Sequence, residues 1–379
     1  MRNELVIILL VFLLINAFLF QKYGIKVVTD SGRYVEYATT LRSGFYFDPH
    51  NFWYIGYSLY ILLIQLLQGS FTAIVAGQYV IAFFAVLALY KTSFIIWKNR
   101  RSALATILIY LLFIDISSWN SYVLTESLYT SFTCFSIYCL TLMYNGKRDF
   151  WFIALTGILV LFTIFIKPTG IALAGALLSV VMYTFLKQLN NRIVYAGIII
   201  FAGGIFLYLV NRMLTTYLIM ENYQLGEVIY AVTTVTDRPE VKSLVISPPE
   251  NIYQPPVNYP PLLKIISFFF HHPLYWLRLF FTKAGYLLLH VRPFWSWGHN
   301  LFSLVVLLPS YWFCVKTLRQ EKAKAQVVMF AETYLLIHLL SVCMTSEDWD
   351  GRFLIPMLPV IFLFTGHGVA GVFDKLNRS

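Results

Sequence analysis

Long apolar stretches alternate with short polar breaks along this chain, and most are too long and too uniform for the elements of a water-soluble core. They occupy about 5–20, 72–96, 102–119, 122–143, 150–166, 169–187, 193–212, 297–315, 326–344 and 353–371. Apolar runs of roughly 18 residues or more predict helices that cross the hydrocarbon layer of a membrane. An eleventh run, 55–68, is shorter and is interrupted or ended by Gln65, Gln68 and Gly69. A further stretch, "PLLKIISFFFHHPLYWLRLFFTKAGYLLLH" (261–290), is broken by His271, His272, Pro273, Arg278 and Lys283. That pattern predicts one or two amphipathic helices lying in the membrane interface rather than a span.

The polar breaks carry the orientation. With 55–68 lying along the interface, the basic loops at 98–101, 145–148, 187–192, 316–324 and 374–379 all fall on one side. The short connections at 117–122, 167–170 and 345–352 then fall on the other and hold no, one and one basic residue respectively. Lys and Arg concentrate in cytoplasmic loops. The expectation is therefore an all-α polytopic membrane protein of about ten spans, 1–379 forming one integral membrane domain with both termini cytoplasmic. Two large segments then face outward, 21–71 and 213–296, with juxtamembrane helices in them. The second contains "SPPENIYQPPVNYPP" (247–261), whose prolines exclude regular helix and central strand. No small-x-small cleavage site follows the first run, which reads as a retained span. An Asn-x-Ser/Thr string occurs only as "NRS" at 377–379, at the cytoplasmic end.

Composition agrees. The chain is 59% hydrophobic and 12% charged, with mean hydropathy +0.70, whereas soluble domains carry about a quarter charged residues. The net charge of +10 is accounted for by basic loops that fix orientation, so no nucleic-acid partner is implied. Cys134, Cys139, Cys314 and Cys343 lie within apolar runs without zinc-ligand spacing.

With this topology the scarce ionisable residues Asp30, Asp48, Asp115, Glu126, Lys167, Arg238, Asp348, Asp350 and Arg352 lie near or beyond one membrane face. Such residues at membrane depth usually line a site or a pathway. Asp115 and Glu126 flank one tight turn, and Lys167 sits at the next. Asp30, ahead of "SGRYVEYATTL", suits a helix N-cap with Gly44 as the stop; it equally suits a general base or a cation ligand held at the membrane surface. "SEDWDGRF" contains Asp348-x-Asp350, either a metal-diphosphate pair or a solvated acidic turn. Lys167 and Arg352 suit either lipid-phosphate binding or ordinary snorkelling to the headgroups. His271 and His272 could in principle hold a metal, though neighbours on a helix point apart; His338 reads as an interhelical hydrogen bonder.

An Asp in the first outer loop followed by "GRYVEYATTLRSG", then "WYIGYSLYILLIQLLQGS", resembles the opening of GT-C superfamily glycosyltransferases. The closest group is the bacterial dolichyl-phosphate-mannose–protein mannosyltransferase-like one, which includes the aminoarabinose transferase of lipid A. "LTESLYTSF", "IKPTGIAL", "HHPLYWLRL" and "GRFLIPMLP" resemble its later landmarks in order. Where many relatives have Tyr-Pro-Pro-Gly-Tyr, this chain has Tyr54-Ile55-Gly56-Tyr57, keeping Gly-Tyr without the prolines.

The resemblance implies a GT-C-like bundle in a bacterial cytoplasmic membrane. It would transfer a sugar from a polyprenyl-phosphate carrier to a glycan, lipid or protein acceptor on the extracytoplasmic face, with inversion. Asp30 would be the base, or the ligand of a divalent cation where one is used; Arg33, Tyr34, Lys167 and Arg352 would bind substrate or phosphate. Asp48, Asp115, Glu126, Asp348 and Asp350 are secondary candidates. Membrane lipids are the other expected partners. The alternatives from other classes are a transporter or lipid flippase, for which inverted repeats and midplane charges would speak, and a GT-C-related oligosaccharide ligase or polymerase.

Overall fold

Each apolar run becomes helix in the computed structural model, which describes residues 2–186, 191–235, 239–320 and 323–376. Arg238, the "NRS" string and most of the 187–192 loop lie outside the described residues. Sixteen α-helices occur among those described: α1 (Arg2–Tyr23), α2 (Thr29–Ser43), α3 (Ile55–Leu66), α4 (Phe71–Trp97), α5 (Arg100–Leu112), α6 (Ile114–Ser118), α7 (Thr125–Tyr144), α8 (Phe150–Ile164), α9 (Ile171–Leu186), α10 (Arg192–Leu214), α11 (Ile219–Leu225), α12 (Pro261–His271), α13 (Pro273–Leu289), α14 (Trp297–Arg319), α15 (Ala325–Met344) and α16 (Leu358–Leu376). Strands are absent among the described residues; sheet-like pairing is limited to isolated bridges.

The chain is thus all-α and multi-pass in character. Six helices are long and apolar enough to cross a membrane: α1, α4, α10, α14, α15 and the stretch Ile355–Leu376 that ends in α16. A seventh results if α5 and the short helical stretch after it count as one span, bent by 62°. These criteria do not reach the ten spans expected. Helix α7 is diluted by hydroxyl side chains such as Thr125, Ser127, Thr130, Ser131, Thr133 and Ser136, and α8 and α9 are short. The run 102–119 is also not one straight helix. Phe113 leaves helical backbone at ψ 82, its ring wholly buried and edge-on to Phe362.

Local chemistry sets the helix ends. Asn99 starts α5 by accepting from the N–H groups of Arg101 and Ser102, Asp149 starts α8 through Phe152 N–H, and Asn191 starts α10 through Ile193 N–H. Residues 55–68 yield the 12-residue α3, as their length implied, and the stretch 261–290 divides into α12 and α13 at His272–Pro273.

The described chain forms two compact units. Unit 1 comprises residues 1–173, 310–328 and 355–379; unit 2 comprises 174–309 and 329–354. In unit 1, α16 packs on α5 at small residues. Gly366 approaches the Thr106 backbone so closely that a Cβ there would overlap it, and close approach through small residues is how helices associate in lipid. Polar side chains between the helices satisfy one another: Ser93 with Thr106 at 3.0 Å, Ser136 with Thr163 at 3.0 Å, and Ser102 with His367 at 3.0 Å. The basic loops gather at one end of this unit, where Arg101 pairs with Asp374 and Lys324 donates to the Tyr144 carbonyl at 3.2 Å.

In unit 2 the segment after α11 folds onto the loop after α15. Tyr230 N–H donates to the Glu347 carbonyl and Glu347 N–H to the Val228 carbonyl, both at 3.0 Å. Below them Ile229, Val232, Val241 and Leu244 make a small apolar core. Gly226 permits the fold: its φ is +69° and a Cβ would run into the Ile246 carbonyl.

Candidate functional site

At the end of unit 1 opposite the basic loops, four segments distant in sequence are tied together. Lys26 N–H donates to the Ser121 carbonyl and Val123 N–H to the Lys26 carbonyl, both at 2.9 Å, joining the chain before α2 to the turn before α7. Gly56 N–H donates to the Phe165 carbonyl at 2.8 Å, joining α3 to the turn before α9. A Cβ on Gly56 would stand 3.0 Å from that carbonyl and from Ile166, which explains glycine there. Tyr57 donates to Gln78 Oε1 at 2.8 Å, and Gln78 in turn donates to the carbonyls of Asn120 and Tyr122 at 3.0 and 2.8 Å.

These ties place the expected site residues. Lys167 Nζ lies 2.7 Å from Glu126 Oε1, with side-chain exposures of 4% and 1%, so the acid and base expected at adjacent turns form a buried ion pair. Thr125 donates to the other Glu126 oxygen at 3.3 Å. Lys167 is therefore not a snorkelling side chain, and its charge already faces a carboxylate.

In front of this pair stands an aromatic and cationic group. The buried Tyr34 ring packs 5.3 Å from Tyr54 and 5.3 Å, edge-on, from Tyr57. Arg33 lies 4.9 and 4.7 Å from the Tyr34 and Tyr54 ring centres, donates to Tyr34 Oη at 3.2 Å, and approaches Asp30 to 3.7 Å. Burial works against the Arg33 charge, but Tyr34, Tyr54 and Asp30 outweigh it and hold its pKa above the ordinary value. Burial foremost pushes the Tyr34 hydroxyl well up, with Tyr54, Asp30 and Glu126 acting in the same direction and Arg33 against. Tyr34 therefore stays neutral, and the carboxylates of both Asp30 and Glu126 act on its hydroxyl.

Asp30 does not cap its helix. Val28 is the N-cap, and Ser31 Oγ accepts from its N–H at 3.0 Å. Asp30 occupies the first turn instead, favourable for an anion near a helix N-terminus, and its side chain is 36% exposed. Gly44 does end the helix. Asp48 is a local cap: its Oδ1 accepts from His50 and Asn51 N–H at 2.9 and 2.6 Å. Asp115 is half-buried on α6.

Unit 2 holds a second set of buried charges, most of which local patterning missed. Arg292, 1% exposed, pairs with Glu347, 0% exposed, at 3.0 Å and donates to the carbonyls of Tyr286, Val291 and Asp348. Buried Glu227 accepts from the N–H groups of Ala231 and Thr233 and from the Thr233 hydroxyl. Lys283, wholly buried, donates to the Thr345 carbonyl at 2.6 Å with Tyr223 beneath it. Arg292 and Lys283 show in the sequence only as charges inside apolar stretches, as in "LLLHVRPFW".

The two carboxylates of the Asp-x-Asp string stand in different surroundings. Asp348 binds Arg352 at 3.0 Å and accepts from Asp350 N–H, while Asp350 is exposed. The two histidines diverge as well: His272 Nε2 accepts from Tyr253 N–H at 2.8 Å, and His271 stacks on the Tyr253 ring. His338 bonds to the Phe353 carbonyl, in the stretch before α16, at 2.8 Å.

Compared with known proteins, the chain matches no family model, no curated protein and no solved structure.

Proposed function

We propose that this chain is a GT-C-type membrane glycosyltransferase that moves a sugar from a polyprenyl-phosphate carrier to an acceptor hydroxyl or amine. The reading rests on one observation above the others: the part-exposed Asp30 carboxylate, the Arg33 guanidinium and the Tyr34–Tyr54 rings converge at one end of unit 1. A carboxylate beside a cation and two aromatic faces matches what the transfer needs. Asp30 takes the acceptor proton as its oxygen or nitrogen attacks the anomeric carbon. The bond from that carbon to the phosphate oxygen breaks on the opposite side, inverting the centre. The electron pair leaves with the carrier phosphate, and Arg33 offers N–H groups to its charge. Lys167 and Glu126 hold the turn before α9 and the start of α7 in place behind Tyr34. A divalent cation, where one is used, would be held by Asp30.

Two further features support the reading. An apolar groove of about 320 Å³ between α1 and α4, lined by Phe12, Leu13, Phe20, Val75 and Tyr79, runs toward the same end and suits a hydrocarbon chain. The basic loops gather at the other end, which by the bias of Lys and Arg is cytoplasmic. The site then faces outward in a cytoplasmic membrane crossed about ten times, α7, α8 and α9 included. Arg352, held by Asp348 in unit 2, is given no part in the transfer.

The test is protein reconstituted in lipid and offered polyprenyl-phosphate hexoses, N-acetylhexosamines and pentoses, with acceptor extract, following release of the free carrier. Consumption of one donor class is the expected result; no release from any of them counts against the reading. Single cysteines at 145 and 46, probed with an impermeant reagent in whole cells, are expected to label at 46 alone.

A further inference from the structure

A cleft of about 440 Å³ opens within unit 2 where α10 ends, bounded by α11, the proline-rich loop and the first turn of α12. Its wall is apolar at Leu214 and Leu218, aromatic at Tyr217 and Tyr259, and charged with opposite signs at Glu221 and Lys264. Among the described residues neither Glu221 nor Lys264 is held in an ion pair. A surface that places a carboxylate and an ammonium in one cleft without joining them is complementary to a ligand carrying both charges.

The cleft is preformed. Leu262 N–H donates to Asn211 Oδ1 at 2.9 Å, fixing the start of α12 to the last turns of α10. The loop that makes the outer wall is pinned through Tyr253. Its N–H meets His272 at 2.8 Å, its hydroxyl meets Ser267 at 2.9 Å, and its ring lies flat on His271 with 3.5 Å between centres. The prolines of that loop keep it extended without regular structure, so the wall stands with little ordering left to do on binding.

Its position names the medium. Helix α10 is a candidate span of which none of the apolar window is buried by protein, and Ile200, Phe201, Leu207 and Tyr208 are exposed along it. The cleft begins at its last residue. Helix α12 buries Ile265 and Phe268 but exposes Leu263, Ile266 and Phe270, an apolar stripe at three- and four-residue spacing. An exposed stripe of this kind on a helix at the end of a span fits the headgroup boundary of a bilayer.

We propose that this cleft binds the headgroup of an amine-bearing phospholipid, with Lys264 on the phosphate, Glu221 on the ammonium, and the acyl chains against the exposed flanks of α10 and α12. A purely anionic headgroup would set its charge against Glu221 without a compensating N–H donor. A free amine or a free phosphate would use one charge and leave the apolar flanks uncovered. The proposal is independent of sugar transfer.

The test uses the full-length protein in detergent, equilibrated with equal amounts of phosphatidylethanolamine and phosphatidylglycerol, with bound lipid counted by native mass spectrometry. Phosphatidylethanolamine is expected to be retained about tenfold over phosphatidylglycerol, the scale of one charge-assisted hydrogen bond. Glu221→Gln should erase that preference, and Lys264→Gln should weaken both lipids about tenfold. Melting curves that match the unsubstituted protein check that the variants fold. Equal retention of the two lipids by the unsubstituted protein, which needs no variant, overturns the proposal. So does a preference that survives Glu221→Gln.

Discussion

Substituting Lys167 with Met removes the cation that faces Glu126 while keeping an unbranched side chain in the turn before α9. At 2.7 Å and an effective dielectric of about 20, the direct attraction is about 6 kcal/mol. Desolvating two ions costs several kcal/mol each and offsets most of that. The pair as a whole therefore adds little net stability, yet either half alone is a buried charge without its counter-ion. Lys167→Met and Glu126→Leu are each expected to destabilise unit 1 by about 3–5 kcal/mol. The double variant Glu126→Leu/Lys167→Met should lie within about 2 kcal/mol of the unsubstituted protein, because an apolar pair of similar volume replaces the ions. The assay is SDS-driven unfolding in mixed micelles read by tryptophan fluorescence, with the four proteins run as a double-mutant cycle. Single substitutions that leave the midpoint unchanged, or that add in the double variant, would refute a buried pair at this position.

Three further outcomes follow from the structure. Gly56→Ala puts a methyl 3.0 Å from the Phe165 carbonyl and Ile166 and should cost about 1–3 kcal/mol in the same assay. Arg292→Met removes the cation that pairs with the wholly buried Glu347 and should cost about 3–5 kcal/mol. Arg292→Lys should not recover that stability, because a point charge cannot serve Glu347 and three backbone carbonyls as a planar fork does. Burial pushes the Lys283 amine from 10.5 down to about 7. Between those values the unfolded chain binds the extra proton, so stability should rise as pH rises from about 7 toward 10, a slope that Lys283→Met should flatten in pH-dependent melting.

The helices were legible because lipid imposes a long apolar run on every spanning segment, and those runs match α1, α4, α10, α14 and α15 within a few residues. What hydropathy could not show was the break at Phe113, a tertiary accommodation of one buried ring with neither proline nor glycine to mark it. At the candidate site, the proximity of Glu126 and Lys167 followed from adjacent turns on one side, but their mutual burial did not. It depends on α3 closing over the turn through Gly56. Of the two readings open for Asp30 the cap fails: a capping Asp and a first-turn Asp look alike in sequence, and the backbone of Val28 decides between them. In "SEDWDGRF" the Asp-x-Asp pattern points to Asp348 and Asp350, whereas the most deeply buried acid is Glu347. Its partner Arg292 is 55 residues away, a pairing no local pattern encodes.

The most direct test of the proposed transfer compares the unsubstituted protein with Asp30→Asn. Both are reconstituted in lipid with the donor class that the panel identifies, and the rate of free polyprenyl phosphate release is measured with acceptor present. Asp30 is part-exposed and is not the N-cap of its helix, so the variant should fold and melt as the unsubstituted protein does. Loss of a positioned base should slow release by about 10²–10⁴-fold. Release from Asp30→Asn at the unsubstituted rate would contradict the account.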